Sequence, residues 1–389
     1  MKRSRFIKYI SLGAIFSPNL LFHAKSSNIH AKSSLQGYRL IYQLENYNLT
    51  DDDVDDFLLK KIKGEYYLIQ ATTLDIREFG AKGDGQTDDF IAIQNAFDNC
   101  VKFRKTLYVS RPEKSYLSSK SILIKGQIKV FGDGLALCGF NFLNCNGFEI
   151  REGVTNVTFE KITINQASRY TNKVNNFVAF NFLGSESKRS YTNIFRDIFI
   201  DGFQTAFKLA WIWDSLFSNI KVVYCKIGFD IIGTSVNNII SDSSISVSGA
   251  GSRAIFFSDR ISPTEGWRIT NLLTVDAEIA IHAYYTSNIY VTTPILDFCS
   301  LRAIKLEDGI GPSTNWQVLG GYIAMCQNSE AAIEVVTQID NKQIRGNKFS
   351  DLDILAYKGS LISQAFKLKG DYSKSQINNV TITNTKILK

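Results

Sequence analysis

The sequence predicts an all-β solenoid, and three observations predict it: a phrase that recurs nine times, strand-type alternation within the phrase, and a second ladder of asparagines. The phrase is a small residue, a large apolar residue, a free position and another apolar residue. It stands at Gly147–Ile150, Ala179–Phe182, Ala206–Leu209, Gly228–Ile231 and Ala254–Phe257, then at Ala280–Ala283, Ala303–Leu306, Ala332–Val335 and Ala365–Leu368. The free positions are 22 to 33 residues apart. Units of that size cannot bury their own apolar face and must stack on copies of themselves. The two apolar residues sit two apart, so they point inward and the free residue points out. The second ladder is Asn before an apolar residue, at Asn156, Asn193, Asn219, Asn238, Asn271, Asn288 and Asn379. Asn tolerates left-handed geometry and bonds nearby backbone, so these residues are expected at the bends between strands.

Charge and cysteines bound the rest. The net charge is +7, but residues 1–34 hold six Lys and Arg with no acid, so the body is close to neutral. That distribution argues against a nucleic-acid partner. Residues 1–26 read as an export-signal-like leader: a basic start, a broken apolar stretch, then small residues near Ala24. The stretch is too short and interrupted for stable membrane insertion. It is similar to a twin-arginine leader, with Ser4 where the second arginine belongs. Localisation is therefore expected to be secreted or periplasmic, with a virion tail as the alternative. The six cysteines fit neither a zinc spacing nor a dense disulfide framework. Free buried thiols are expected, and Cys138 with Cys145 is the one pair close enough in sequence to consider for a bridge.

In chain order, residues 27–70 form an N-terminal segment. Thr50 is placed to cap a short helix with acids in its first turn, running through Leu59. Glu65–Ile69 reads as a strand. At Gly83-Asp84-Gly85 the chain turns, Thr87 can cap the following helix, and Asp88 and Asp89 face its positive end. Ile93, Ala96, Phe97, Cys100 and Val101 make an apolar stripe suited to cover a solenoid's open end.

Phe79-Gly80-Ala81-Lys82-Gly83-Asp84-Gly85 through Asp88-Asp89, followed by Ala92-Ile93-Gln94-Asn95-Ala96, resembles the opening signature of the pectate-lyase-like superfamily. The resemblance covers about residues 71–389 and implies a right-handed, single-stranded parallel β-helix with an N-terminal capping α-helix. It also implies a polysaccharide partner, since the superfamily includes polysaccharide lyases, glycoside hydrolases and phage tailspike depolymerases, the last of which makes a homotrimer an expectation to test. The polygalacturonase motifs Asn-Thr-Asp, Gly-His-Gly and Arg-Ile-Lys are absent from the repeat region, as is a pectate-lyase calcium signature.

The outward column is Glu149, Asn181, Lys208, Asp230, Phe256, His282, Lys305, Glu334 and Lys367. Its middle joins an acid, an aromatic and two candidate bases across stacked coils. Tyr284 and Glu307 stand two residues further on, and Asp259 and Asp308 at the strand ends. Catalytic candidates are Asp230, His282, Lys305, Glu307 and Asp259; Phe256, Tyr284 and Lys208 are candidates for sugar binding. A lyase needs a base, His282 or Tyr284, and a cation such as Lys305 to neutralise a uronate. A glycosidase needs two carboxylates, Asp230 with Asp259 or Asp259 with Glu307. No cofactor is required by either scheme; Ca²⁺ held by Asp230 or Glu307 is the one ion considered. The expected function is polysaccharide degradation, with a non-catalytic carbohydrate-binding solenoid or a trimeric tailspike fibre as the alternative.

Overall fold

The structure is a computed structural model and describes residues 37–41, 50–55, 57–135, 138–167, 176–337, 346–357, 360–370 and 376–384. The leader at residues 1–26 lies outside them. Two compact units divide the chain, Met1–Ala71 and Thr72–Lys389.

In the first unit, Glu65–Ile69 is the middle strand of a three-stranded antiparallel sheet, between Tyr38–Ile41 and Leu59–Ile62. The helix expected from Thr50 to Leu59 is only one 3₁₀ turn, Asp51–Asp53. Its physical stop is Asp55, whose Oδ1 accepts the backbone N–H groups of Phe57, Leu58 and Leu59 and so offers the chain a non-helical alternative. Asp51 is bonded by Lys61 at 2.7 Å and by Tyr66, so part of the acidic run is paired within the sheet.

The second unit is a parallel β-helix. One typical coil runs through three strands, Ile227–Ile232, Ile239–Ser241 and Ser244–Val247, and the next coil repeats them as Arg253–Phe257, Arg268–Thr270 and Leu273–Val275. The nine phrases are nine strands of one ten-stranded parallel sheet, which Ile122–Ile124 opens. Their inward residues pair in unbroken register from Phe148 through Phe180, Phe207, Phe229, Ile255, Ile281, Ile304 and Ile333 to Phe366.

Two phenylalanine ladders fill the early coils. Phe148, Phe180, Phe207 and Phe229 stack at centroid spacings of 5.4, 5.1 and 4.8 Å, and Phe159, Phe195 and Phe217 at 5.7 and 5.4 Å. Across the interior the two ladders meet edge to face, as at Phe207 and Phe217. Both geometries are favourable for rings, so each rung fixes the next. Where the phrase begins with glycine, the cause is equally direct. A Cβ on Gly147 would lie 2.4 Å from the Ala179 carbonyl oxygen, and one on Gly228 would lie 2.4 Å from that of Ala254.

Bends follow the asparagines, with a correction. Asn219 and Asn271 are left-handed at one corner, Asn156 and Asn288 at another. Asn193 and Asn238 sit one residue past the second corner, which Thr192 and Asn237 turn instead. Both are buried, and their side-chain oxygens accept backbone N–H groups of neighbouring coils, from Val157 and Ser215. Asn379 lies inside the strand Gln376–Asn384.

One α-helix is present among the described residues, Phe90–Lys102. It buries Ile93, Ala96, Phe97 and Cys100, and the Phe97 ring lies 5.5 Å from that of Phe148. Gln94 bonds both the N–H and the carbonyl of Leu123, so its amide occupies the ladder positions a further strand would take on the first strand of the sheet. Asp89, rather than Thr87, is the N-cap residue. The Asp89 carboxylate accepts from the N–H groups of Lys82 and Gly83, tying the glycine turn to the helix. Thr87 is instead bonded to Asp84. All six cysteines are free thiols, four of them buried, and Cys138 and Cys145 are not bridged.

Adding the missing methyl at Gly228 should therefore cost about 1–3 kcal/mol. In urea unfolding, Gly228→Ala should lower the midpoint clearly, whereas Gly139→Ala should not, because its added Cβ meets its nearest neighbour at 3.7 Å.

Candidate functional site: the outward column of the ten-stranded sheet

The register brings the predicted column together. Lys208 pairs with Asp230, Asp230 with Phe256, Phe256 with His282, His282 with Lys305, and Lys305 with Glu334. Tyr284 pairs with Glu307 on the adjacent strand. The column is less open than alternation implies. His282 is 4% exposed and Glu334 is 7% exposed, because neighbouring side chains close over them.

His282 is the hub. Its ring stacks on Phe256 at 5.0 Å and lies 4.7 Å from the Tyr284 ring. Arg253 Nε donates to His282 Nδ1 at 3.1 Å, so Nδ1 carries no proton and Nε2–H donates to Glu307 at 2.7 Å. Burial holds the imidazole below its usual pKa; Glu307 opposes this and the nearby Arg253 and Lys305 charges add to it. Glu307 also receives Lys305 at 3.1 Å. The His282 bond first, then Lys305, bring the Glu307 carboxyl down to about 2 against the cost of its burial. The result is a neutral histidine between a cation and a carboxylate, with both ring nitrogens used.

Arg253 was not singled out from the sequence, yet a signal exists. Arg253-Ala254-Ile255 and Arg302-Ala303-Ile304 place arginine just before the small residue of two phrases. Each arginine donates from one guanidinium nitrogen to the carbonyl before it at 2.8 Å, and from Nε to the outward residue of the next rung at 3.1 Å. For Arg302 that residue is Glu334. His282 thus occupies the same clamp position as Glu334. Arg260 was also missed: its guanidinium covers the Tyr284 ring at 3.8 Å.

The remaining acids are separated by environment. Burial pushes the Asp230 carboxyl up, while its bond from Ser258 and the charge of Lys208 oppose the rise. Burial acts on Asp259 in the same sense, but the N–H groups of Ile261, Ser262 and Gly233 outweigh it and hold its pKa down. Asp259 and Asp308 both anchor loops, the latter by accepting the Ser313 N–H at 3.2 Å. From Asp230 to Glu307 is three rungs, about 14 Å at the usual strand spacing. No group of three or more His, Cys, Asp or Glu suited to a metal ion lies among the described residues.

Two titrations follow from the hub. His282 is the sole histidine beyond position 30, so its ring signals are readily assigned by NMR. Its midpoint should lie below 6.5, rise in Arg253→Ala and fall further in Glu307→Gln. Both His282 and Glu307 have depressed folded values, so the unfolded chain binds more protons. Stability should fall as pH drops below 6.5, and fall again between 4.5 and about 2 as Glu307 protonates.

The comparisons with known proteins agree with this architecture. Residues 73–178 match the family described as rhamnogalacturonase A/epimerase, pectate lyase-like. The tail spike protein of Shigella phage Sf6 is 23% identical over 330 residues, covering 77% of this chain and 50% of the relative. The chain thus spans about half the length of that curated relative. Among solved structures, the DFA-IIIase of Arthrobacter chlorophenolicus A6 superposes with a TM-score of 0.65 at 12% identity, over 81% of this chain and 88% of its own. The A-module of a mannuronan C-5 epimerase from Azotobacter vinelandii gives 0.59 at 12% identity, over 80% and 96%. The chain thus has the parallel β-helix fold of these solved structures, and its residues 73–178 are similar to the pectate-lyase-like family.

Proposed function

We propose that the chain is a tail-spike-type β-helix that engages an acidic polysaccharide along the outward column and cleaves it by β-elimination. The observation that carries this reading is the grouping of Phe256, His282 and Tyr284 beside Lys305 and the Arg260 guanidinium. Aromatic faces take the C–H face of a sugar, and cations take its carboxylate.

The two carboxylates with opposed environments, Asp230 and Glu307, are about 14 Å apart. A glycosidase pair needs about 5–9.5 Å. Asp259, two rungs from Glu307, already serves three backbone N–H groups. Elimination needs fewer parts. The Tyr284 hydroxyl has no hydrogen-bond partner among the described residues, and its phenolate, formed by loss of the proton to solvent, is the base in this reading. It takes the proton on the carbon beside the uronate carboxylate, the electron pair forms the C4–C5 double bond, and the C4–O bond breaks. The leaving oxygen is protonated from solvent. Lys305 neutralises the carboxylate as charge builds on it. His282, with both nitrogens engaged, holds the Lys305–Glu307 pair and the aromatic stack in place. Lys208 extends the sugar-binding face on the far side of Asp230.

A second reading, a non-catalytic carbohydrate-binding spike, is favoured by one observation: each acid at the centre of the column already has a partner within the fold. The tail-spike relative supports a virion-tail location, and a mass measurement in solution tests the expected homotrimer. No helix among the described residues is long and apolar enough to cross a membrane.

Incubation with polygalacturonate, polymannuronate and bacterial capsule, followed for reducing ends and for unsaturated-uronate absorbance, decides between the readings. Both signals should rise together. Reducing ends alone would replace elimination by hydrolysis, and binding with neither signal would establish the second reading. Tyr284→Phe should lower turnover at least about a hundredfold and Lys305→Gln comparably, with His282→Gln retaining more activity than either. The reverse order, with His282→Gln the weaker enzyme, would make His282 the base.

A further inference from the structure

A second concavity lies on a different face of the coil, away from the ten-stranded sheet. Gly139, Thr163, Phe199 and Lys221 are register partners on four successive rungs and form its floor. With Asn165 and the approaching Lys114 they line a cavity of about 420 Å³. Its cause is local. Gly139 has no side chain where the next two rungs carry Thr163 and then Phe199, so the groove deepens at that end.

The electrostatics are unlike those of the column. Lys114 and Lys221 have no carboxylate partner among the described residues. Lys221 instead holds its ammonium 5.9 Å from the Phe199 ring centre. Asp201, the acid in register with Asn165, is not among the lining residues. Next to Asn165 on the preceding rung, the side-chain oxygen of Asn141 is buried without a hydrogen-bond partner among the described residues. Two cations without a carboxylate partner among the described residues, an aromatic side and an amide, in a concavity about the size of one or two sugar rings, fit an anionic saccharide. Carboxylate or sulfate would meet the lysines, a ring face would meet Phe199, and hydroxyls would meet Asn165.

We propose that this groove is a second, non-catalytic binding site for an acidic saccharide, holding a chain that the outward column engages elsewhere. The identity of the ligand rests on the reading of the protein as acidic-polysaccharide-acting; the anion-binding character of the groove does not.

The test uses the full chain and its Phe199→Ala/Lys221→Gln variant, titrated calorimetrically with trigalacturonate, trimannuronate and sulfated disaccharide, with maltotriose as a neutral control. Both substituted side chains face outward, and an unchanged thermal midpoint verifies the fold. The variant should bind the acidic probes at least about tenfold more weakly, since it loses one charge contact and one stacking contact. Affinity of the unaltered chain should fall between 50 and 500 mM salt, as the screening length around exposed lysines shrinks from about 14 to about 4 Å. Equal binding by the groove variant, with binding lost in Lys305→Gln, would overturn the second site while leaving the proposed function standing. Binding of maltotriose as tight as of the acidic probes would overturn the anionic ligand. If no acidic probe binds the unaltered chain and none of the polymers is cleaved, both readings fall together.

Discussion

The close stacking of one backbone rung on the next governs the rest of this molecule. At the first position of the repeated phrase the coils approach so nearly that Gly147 and Gly228 have no room for a methyl group without displacing the carbonyl of the following rung. The parallel ladder runs through ten strands in register. It also sets the spacing at which phenylalanines stack within each ladder and meet edge to face across the interior. Because the register is unbroken, whatever points outward must also line up. A surface column is thus a consequence of core packing, and the chemistry of the face is written by single substitutions in a repeating frame.

That logic explains why the architecture was legible in the sequence. Phrase position, not overall similarity, predicts pairing: the free residues from Glu149 to Lys367 are register partners as the alignment requires. The apolar stripe of the helix at Phe90–Lys102 was legible for the same reason, since Ile93, Ala96, Phe97 and Cys100 share a face. Bends were only half legible. Asn marks a left-handed corner at Asn219 and Asn271, but at Asn193 and Asn238 the same residue type is buried one step later, where its amide satisfies backbone groups. A residue with two uses gives one pattern in sequence. The acidic run after Thr50 misled differently: helix propensity lost to Asp55, which collects three N–H groups at once.

The site was less legible because its meaning lies in which partners reach it. His282 read as a candidate base from its residue type and its place in the outward column. Its place in the network is set by Arg253, which lies three residues before the outward position of the previous rung and has to reach past a small residue to meet it. The same reach by Arg302 to Glu334 shows that the frame, not the histidine, creates the contact. Asp259 was similarly ambiguous: a carboxylate at a strand end looks available until the loop that follows it folds back onto its oxygens.

These two arginines also divide the column. Wherever an arginine precedes the small residue, the next outward side chain is drawn into a clamp and closed from solvent, as His282 and Glu334 are. Lys305 lies on the rung between those two clamped residues, and no arginine stands at the equivalent place before it, because Ile279 occupies that position in register. Lys305 consequently keeps about a quarter of its side chain exposed. The frame therefore buries the neighbours of Lys305 and leaves its ammonium presented, next to the aromatic cluster of Phe256 and Tyr284. A face built this way has its charges preset before any ligand arrives, so the proposed recognition of an anionic polymer would cost little reorganisation.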